Sequence, residues 1–266
     1  MGRLRSGLLA CVVAAAAAPA AFAADLPLPP GPAPAYAPPP PARYDWTGIY
    51  IGGHVGGGAL NDSLTTTAAS VLFQPAGAQT RLSTFGVIGG AQGGINYQFN
   101  SIVVGVEGTW TASAISGSQI TAASLSPLAG VAENSTDAPH WYATATGRVG
   151  YAINDVLLYA KGGAAWMNVE YNQQVLNGGV ASAQLNTVTR HGYTVGGGIE
   201  YALTENVSVK LEYDYLNFGT QTFSFNNLAG PLGPVGAFPL AIKSETQMLL
   251  FAANYRFNWG GGYARY

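Results

Sequence analysis

Val207-Ser208-Val209-Lys210-Leu211-Glu212-Tyr213-Asp214-Tyr215 is the stretch whose reading decides the fold. Every odd position is apolar or aromatic, and every even one is polar or charged. A helix would scatter Lys210, Glu212 and Asp214 around its circumference, whereas a strand puts all three on one face. Working outward from this pattern, strands are expected at about 46–59, 84–99, 101–114, 140–153, 156–171, 190–203, 207–219 and 244–258. The count is eight, with six or ten as alternatives.

The connections fall into two classes. Asn100-Ser101, Asn154-Asp155 and Thr204-Glu205-Asn206 suit tight hairpins. The others, near 60–83, 115–139, 172–189 and 220–243, are long and rich in Ser, Thr, Asn and Ala. Long and short alternate, so strand direction places all long loops at one end and all short turns at the other. That asymmetry belongs to barrels of the bacterial outer membrane.

Composition agrees. The chain has 266 residues, of which 48% are hydrophobic and only 9% charged, against roughly 25% charged in an ordinary soluble domain. Such a balance excludes disorder, which needs weak hydrophobicity and strong charge. With a net charge of −2 and no Lys/Arg run, it also excludes a nucleic-acid partner. Beyond residue 24 no stretch approaches the ~20 apolar residues of a membrane-spanning helix. Unpaired strand edges are intolerable in hydrocarbon, so a sheet that crosses a membrane must close on itself. The expected fold is all-β: a transmembrane antiparallel up-and-down β-barrel with long extracellular loops and short periplasmic turns.

Residues 1–23 read as a signal peptide: Arg3 and Arg5, the apolar run Leu8–Ala18, then Ala21-Phe22-Ala23 before the cleavage point. The one cysteine, Cys11, falls inside it. Leu8-Leu9-Ala10-Cys11 loosely resembles a lipoprotein site, but the apolar run ahead of Cys11 is too short and continues after it. Residues 24–44 form a spacer whose 27–41 portion, PLPPGPAPAYAPPPP, is too proline-rich for sheet or helix. The barrel is expected over 45–259, with a short extension at 260–266.

Parity sorts the strands into two faces. Outward go Val207, Val209, Leu211, Tyr213 and Tyr215, with Leu249, Phe251, Ala253, Tyr255 and Phe257; Tyr193, Val195, Ile199 and Tyr201; and Ile102, Val104, Val106 and Trp110. Trp46, Phe99, Trp110, Trp141, Tyr151, Tyr201, Tyr255 and Phe257 lie towards strand ends, as membrane-interface aromatics do. Inward go Glu107, Arg148, Lys161, Glu200, Lys210, Glu212, Asp214 and Arg256, four acids and four bases. A lipid-facing charge would cost about 2–4 kcal/mol near the midplane. These charges are therefore expected to pair inside, closing a narrow lumen that a pore of one sign would leave open.

Motifs for other chemistry are missing. The run Gly52-Gly53-His54-Val55-Gly56-Gly57-Gly58 lacks dinucleotide-binding spacing, and no P-loop, zinc or nucleophile-elbow motif occurs. His54, His140 and His191 are expected near the loop ends of their strands. There they could ligate haem with nearby tyrosines, or form a hydrolytic rim with Ser135 and Asp137 beside His140; no motif supports either. The expectation is a non-enzymatic barrel with no cofactor and no metal, a small porin being the alternative.

Asp45-Trp46-Thr47-Gly48-Ile49-Tyr50-Ile51-Gly52-Gly53 resembles the opening strand of the alphaproteobacterial outer-membrane immunogenic proteins, small surface antigens of the opacity-type, OmpA-like group. Leu158–Gly163, Gly196–Tyr201, Val209–Tyr213 and Asn254–Trp259 are similar to later strands of that family, so the resemblance spans 46–259. It implies an eight-stranded barrel in outer-membrane lipid and lipopolysaccharide, delivered by the barrel-assembly machinery through its aromatic-ended last strand. Here the chain continues past Phe257 to Tyr266, unlike barrels that end on a terminal Phe. Members of the family are described as porin-like, structural, adhesive or haem-binding, so the resemblance implies location and fold rather than one activity. The loops hold no motif that names a surface ligand.

Overall fold

The computed structural model describes residues 44–67, 77, 79–122, 131–177, 180–225, 228–230, 233–235 and 238–257. The signal peptide, nearly all of the spacer and residues 258–266 lie outside these. Every regular element among the described residues is a strand: β1 (Gly48–Thr66), β2 (Gln79–Phe99), β3 (Ile102–Ser113), β4 (Gly117–Ala122), β5 (Val131–Ile153), β6 (Val156–Asn177), β7 (Val180–Ala202), β8 (Val207–Phe225), β9 (Leu228–Gly230), β10 (Gly233–Val235) and β11 (Phe238–Phe257). The sheet order is β3-β2-β1-β11-β8-β7-β6-β5-β4, and pairing of β3 with β5 closes the ring. Since β4 continues the line of β3 along β5, and β9 and β10 form a separate hairpin, the wall has eight positions.

The register fixes the size of the barrel. Following paired residues around the ring leads from Ile51 to Gly93, Gly108, Ala145, Ala164, Tyr193, Asn217, Glu245 and back to β1 at Asn61, ten residues further along. Eight strands with a shear of ten tilt by about 41° around a radius of about 8 Å. That interior is just wide enough for side chains to fill.

At the turn end the observed boundaries agree closely with the sequence expectation. Asn100 and Asn154 each take φ 53°, the left-handed conformation that Asn tolerates and two-residue hairpins need. At the loop end the expectation is corrected. Most of 60–66, 79–83, 131–139, 172–177, 180–189, 220–225 and 238–243 is strand rather than loop. Above the membrane neither face meets lipid, so the period-two signal vanishes, while Ser and Thr continue the backbone ladder readily.

The ladder is uneven around the ring. β7 and β8 pair only from Tyr193–Asn217 down to Ala202–Ser208, although β7 starts at Val180 and β8 continues to Phe225. Above that point, among the described residues, β7 pairs with β6 alone and β8 with β11 alone, so the β7–β8 ladder parts. A bulge marks the place: the β8–β11 register shifts between Lys243 and Glu245, and Gly219 takes φ 65°.

Outside, all the residues assigned to lipid by parity that are large and apolar stand exposed on the wall of β3, β7 and β11, among them Val106, Trp110, Val195, Leu249 and Phe251. No charged side chain interrupts this face between the aromatic levels among the described residues. Each span, such as Tyr193–Tyr201, rises about 20 Å along the tilted wall, close to the apolar belt of a membrane barrel.

Candidate functional site

The candidate site is the lumen, which the inward parity fills in three layers. At the turn end, Val103, Ala152, Leu157, Tyr159 and Ala202 pack against Trp46 and Tyr44. At the loop end lies a larger apolar cluster that includes Leu60, Ile88, Ile115, Tyr142, Met167, Leu216, Met248 and Leu250. Between them sits a charged layer.

Seven of the eight inward charges meet in that layer. Glu107 on β3 accepts from Lys210 on β8 at 2.9 Å and from Lys161 on β6 at 3.3 Å. Lys161 also meets Glu212 at 2.7 Å and Asp214 at 3.0 Å, and Lys210 meets Glu212 at 3.0 Å. Arg148 on β5 holds Glu200 on β7 at 2.9 Å and Glu107 at 3.5 Å. β3 and β8 stand four places apart in an eight-place ring, so the Glu107–Lys210 pair crosses the full width of the lumen. The Arg148–Glu107 contact joins neighbouring β5 and β3, and Lys210–Glu212 lies within β8; the other pairs reach inward past at least one intervening strand.

Neutral groups complete the network. Tyr50 donates to Glu107 at 2.7 Å, Tyr159 to Glu212 at 2.5 Å, and Ser208 to Glu200 at 2.6 Å. The Arg148 guanidinium stacks 4.5 Å from the Tyr159 ring centre. Glycines make room for these phenols. A Cβ on Gly94 would stand 2.5 Å from the Tyr50 hydroxyl, and one on Gly198 would stand 2.8 Å from that of Tyr159.

Two sequence assignments are corrected. Arg256 faces inward but lies below the charged layer, where it stacks on Tyr44 and Trp46 and donates to the Asp45 carbonyl instead of joining a carboxylate. Trp46 is no interface aromatic: at 1% exposure it stands inside the turn end, because its parity continues that of inward Tyr50 and Arg256 draws its ring in. Of the other seven, Phe99, Trp110, Tyr151, Tyr201, Tyr255 and Phe257 are exposed on the outer wall, and Trp141 is half-buried.

The histidines separate as well. His54 is not at the rim; it lies buried in the lumen against Gln92 at 3.2 Å and Thr111 at 2.9 Å. Gln92 donates on to Asn254, and Asn254 to Glu200 at 2.9 Å, which ties His54 to the charged layer. His140 and His191 stay exposed near the loop end, with His140 3.5 Å from Glu170. Sequence reasoning missed Arg190 and Asp62, both buried and inward. Arg190 donates to Ser244 at 2.6 Å, Tyr171 at 2.9 Å and the carbonyls of Gly219 at 2.9 Å and Ile242 at 3.0 Å, replacing ladder bonds lost at the bulge. Parity with Glu200 held the signal for Arg190. With these two, the inward charges among the described residues number five of each sign.

The sequence profile of the outer membrane protein beta-barrel domain matches residues 7–257. The 31 kDa outer-membrane immunogenic protein of Brucella melitensis is 33% identical over 183 residues, 66% of this chain and 72% of that protein. The 25 kDa outer-membrane immunogenic protein of Brucella abortus is 29% identical over 219 residues, 81% of each. Among solved structures, the outer membrane protease OmpT from Escherichia coli is similar at a TM-score of 0.48 and 12% identity, over 81% of this chain and 99% of that one. With its closed eight-position wall and apolar belt, the chain belongs to the outer membrane protein beta-barrel domain family and resides in the outer membrane.

Proposed function

We propose that this protein is a structural, non-enzymatic barrel that is closed to solutes and presents its strand extensions at the cell surface as an antigen. The observation that carries this reading is the Glu107–Lys210 pair, which spans the lumen between opposite walls with Lys161 and Arg148 braced against it. Paired charges of both signs, sealed above and below by apolar layers, offer water no continuous path. Breaking such a pair in a dry interior leaves a charge exposed to low dielectric, so the layer resists opening. The names of the Brucella relatives, immunogenic outer-membrane proteins, support the surface role. The apolar belt suits outer-membrane lipid and lipopolysaccharide, and exposed Tyr255 and Phe257 suit recognition of the last strand by the barrel-assembly machinery.

Conductance of the purified protein in planar bilayers tests the reading. Silence, or only brief flickers, is expected; stable, sizeable steps would overturn it in favour of a small porin.

A further inference from the structure

β1 begins at Gly48, and the four residues ahead of it, Tyr44 to Thr47, run in no strand. They turn into the lumen. Trp46 packs edge-on against Tyr44, ring centres 4.7 Å apart, and both rest in the turn-end cluster with Leu157 and Ala202. The Arg256 guanidinium stands 4.2 Å from the Tyr44 ring centre and 5.1 Å from that of Trp46, and donates to the Asp45 carbonyl. The Trp46 backbone N–H donates to the Gln98 side-chain oxygen at 2.7 Å, and the Gln98 backbone N–H to the Thr47 hydroxyl at 3.1 Å.

Gly48 takes φ 142°, and a Cβ there would stand 3.0 Å from the Phe257 carbonyl oxygen. Only glycine lets the chain leave the lumen and enter the wall at this point. The segment is thus held by stacking and a few side-chain bonds, with no ladder pairing of its own. The rest of the closure among the described residues hangs on the wall itself.

We infer that Tyr44–Thr47 is a removable stopper for the turn end of the lumen, with Gly48 as its hinge and Arg256 as its latch. Seated, the Trp46 indole separates periplasmic water from Tyr159 and the charged layer. Unseated, the segment gives up its two bonds to Gln98 but breaks no strand-to-strand ladder bond, and the lumen opens as far as Leu157 and Ala202. A recess of about 190 Å³ beside Tyr44, lined by Gln98, Asn100 and Ala152, leaves room on the outer side. The inference goes beyond the closed-barrel reading, because the loop-end layer keeps the lumen sealed whether or not the stopper moves.

Thiol labelling in the folded barrel tests it, since residues 44–257 contain no cysteine. Ala202→Cys places a thiol behind the stopper, and Ala165→Cys places one in the loop-end layer. Each is combined with Trp46→Ala or, leaving the indole in place, with Arg256→Leu. A charged methanethiosulfonate reagent is expected to react about tenfold or more faster with Ala202→Cys when either change is present, as local opening allows. The Ala165→Cys rate and the heat-modifiable gel mobility of the folded barrel stay unchanged. Equal Ala202→Cys rates with and without the stopper changes would overturn the inference, and so would a parallel rise at both thiols, which is general loosening. Neither result alters bilayer conductance, so the closed-barrel reading stands or falls separately.

Discussion

Arg148 illustrates how much one lumen residue carries. It neutralises Glu200, touches Glu107 and stacks on Tyr159, with almost no contact with water. Arg148→Ala leaves Glu200 buried with only Ser208 and Asn254 as partners. The change is expected to cost about 3–5 kcal/mol, read from urea unfolding in lipid vesicles; unchanged stability would mean that the layer is not a coupled network. That Arg148 faces inward was legible from alternation alone. Its partners were not, because parity yields the face of a residue but not its height. Height follows from the shear of the closed ring, which brings β5 level with β7 and β3. Arg256 shows the limit: its parity is right, yet its position near the end of β11 sets it below the carboxylates.

At the scale of elements, the short turns were legible because they rest on local chemistry. Asn100 and Asn154 at φ 53° need a residue that tolerates the left-handed region. Asn100→Ala or Asn154→Ala should lose about 1 kcal/mol or more. Asn→Gly at the same positions should change stability by only a few tenths of a kcal/mol. Equilibrium unfolding of the two substitutions side by side checks this; equal losses would point to the side chain instead of the backbone. The loop-end strands were illegible for the opposite reason. Their pairing is set by the neighbouring strand, and the sequence there, as in Thr220-Gln221-Thr222, has no apolar face to announce a strand. The loop-end apolar layer was hidden in a related way. In Met248-Leu249-Leu250-Phe251 both faces are apolar, so alternation fails where the lumen itself is dry.

For the whole molecule, the surrounding lipid decides which positions tolerate charge. Leu211 lies on the outer wall within the belt, whereas Thr222 is exposed above it. Leu211→Lys is expected to cost about 2–4 kcal/mol of folding free energy in vesicles. Thr222→Lys should stay within about 0.5 kcal/mol. Equal effects would place the belt elsewhere on the wall. The uneven ladder has a mechanical consequence of its own. The seam where the chain closes, β1 against β11, is zipped from Ile49–Phe257 up to Thr66–Leu240, but β7 and β8 are joined only below Tyr193–Asn217. Lateral tension in the membrane would therefore concentrate at the β7–β8 fork, and the crack would start at Arg190, not at the joint between the two ends of the chain.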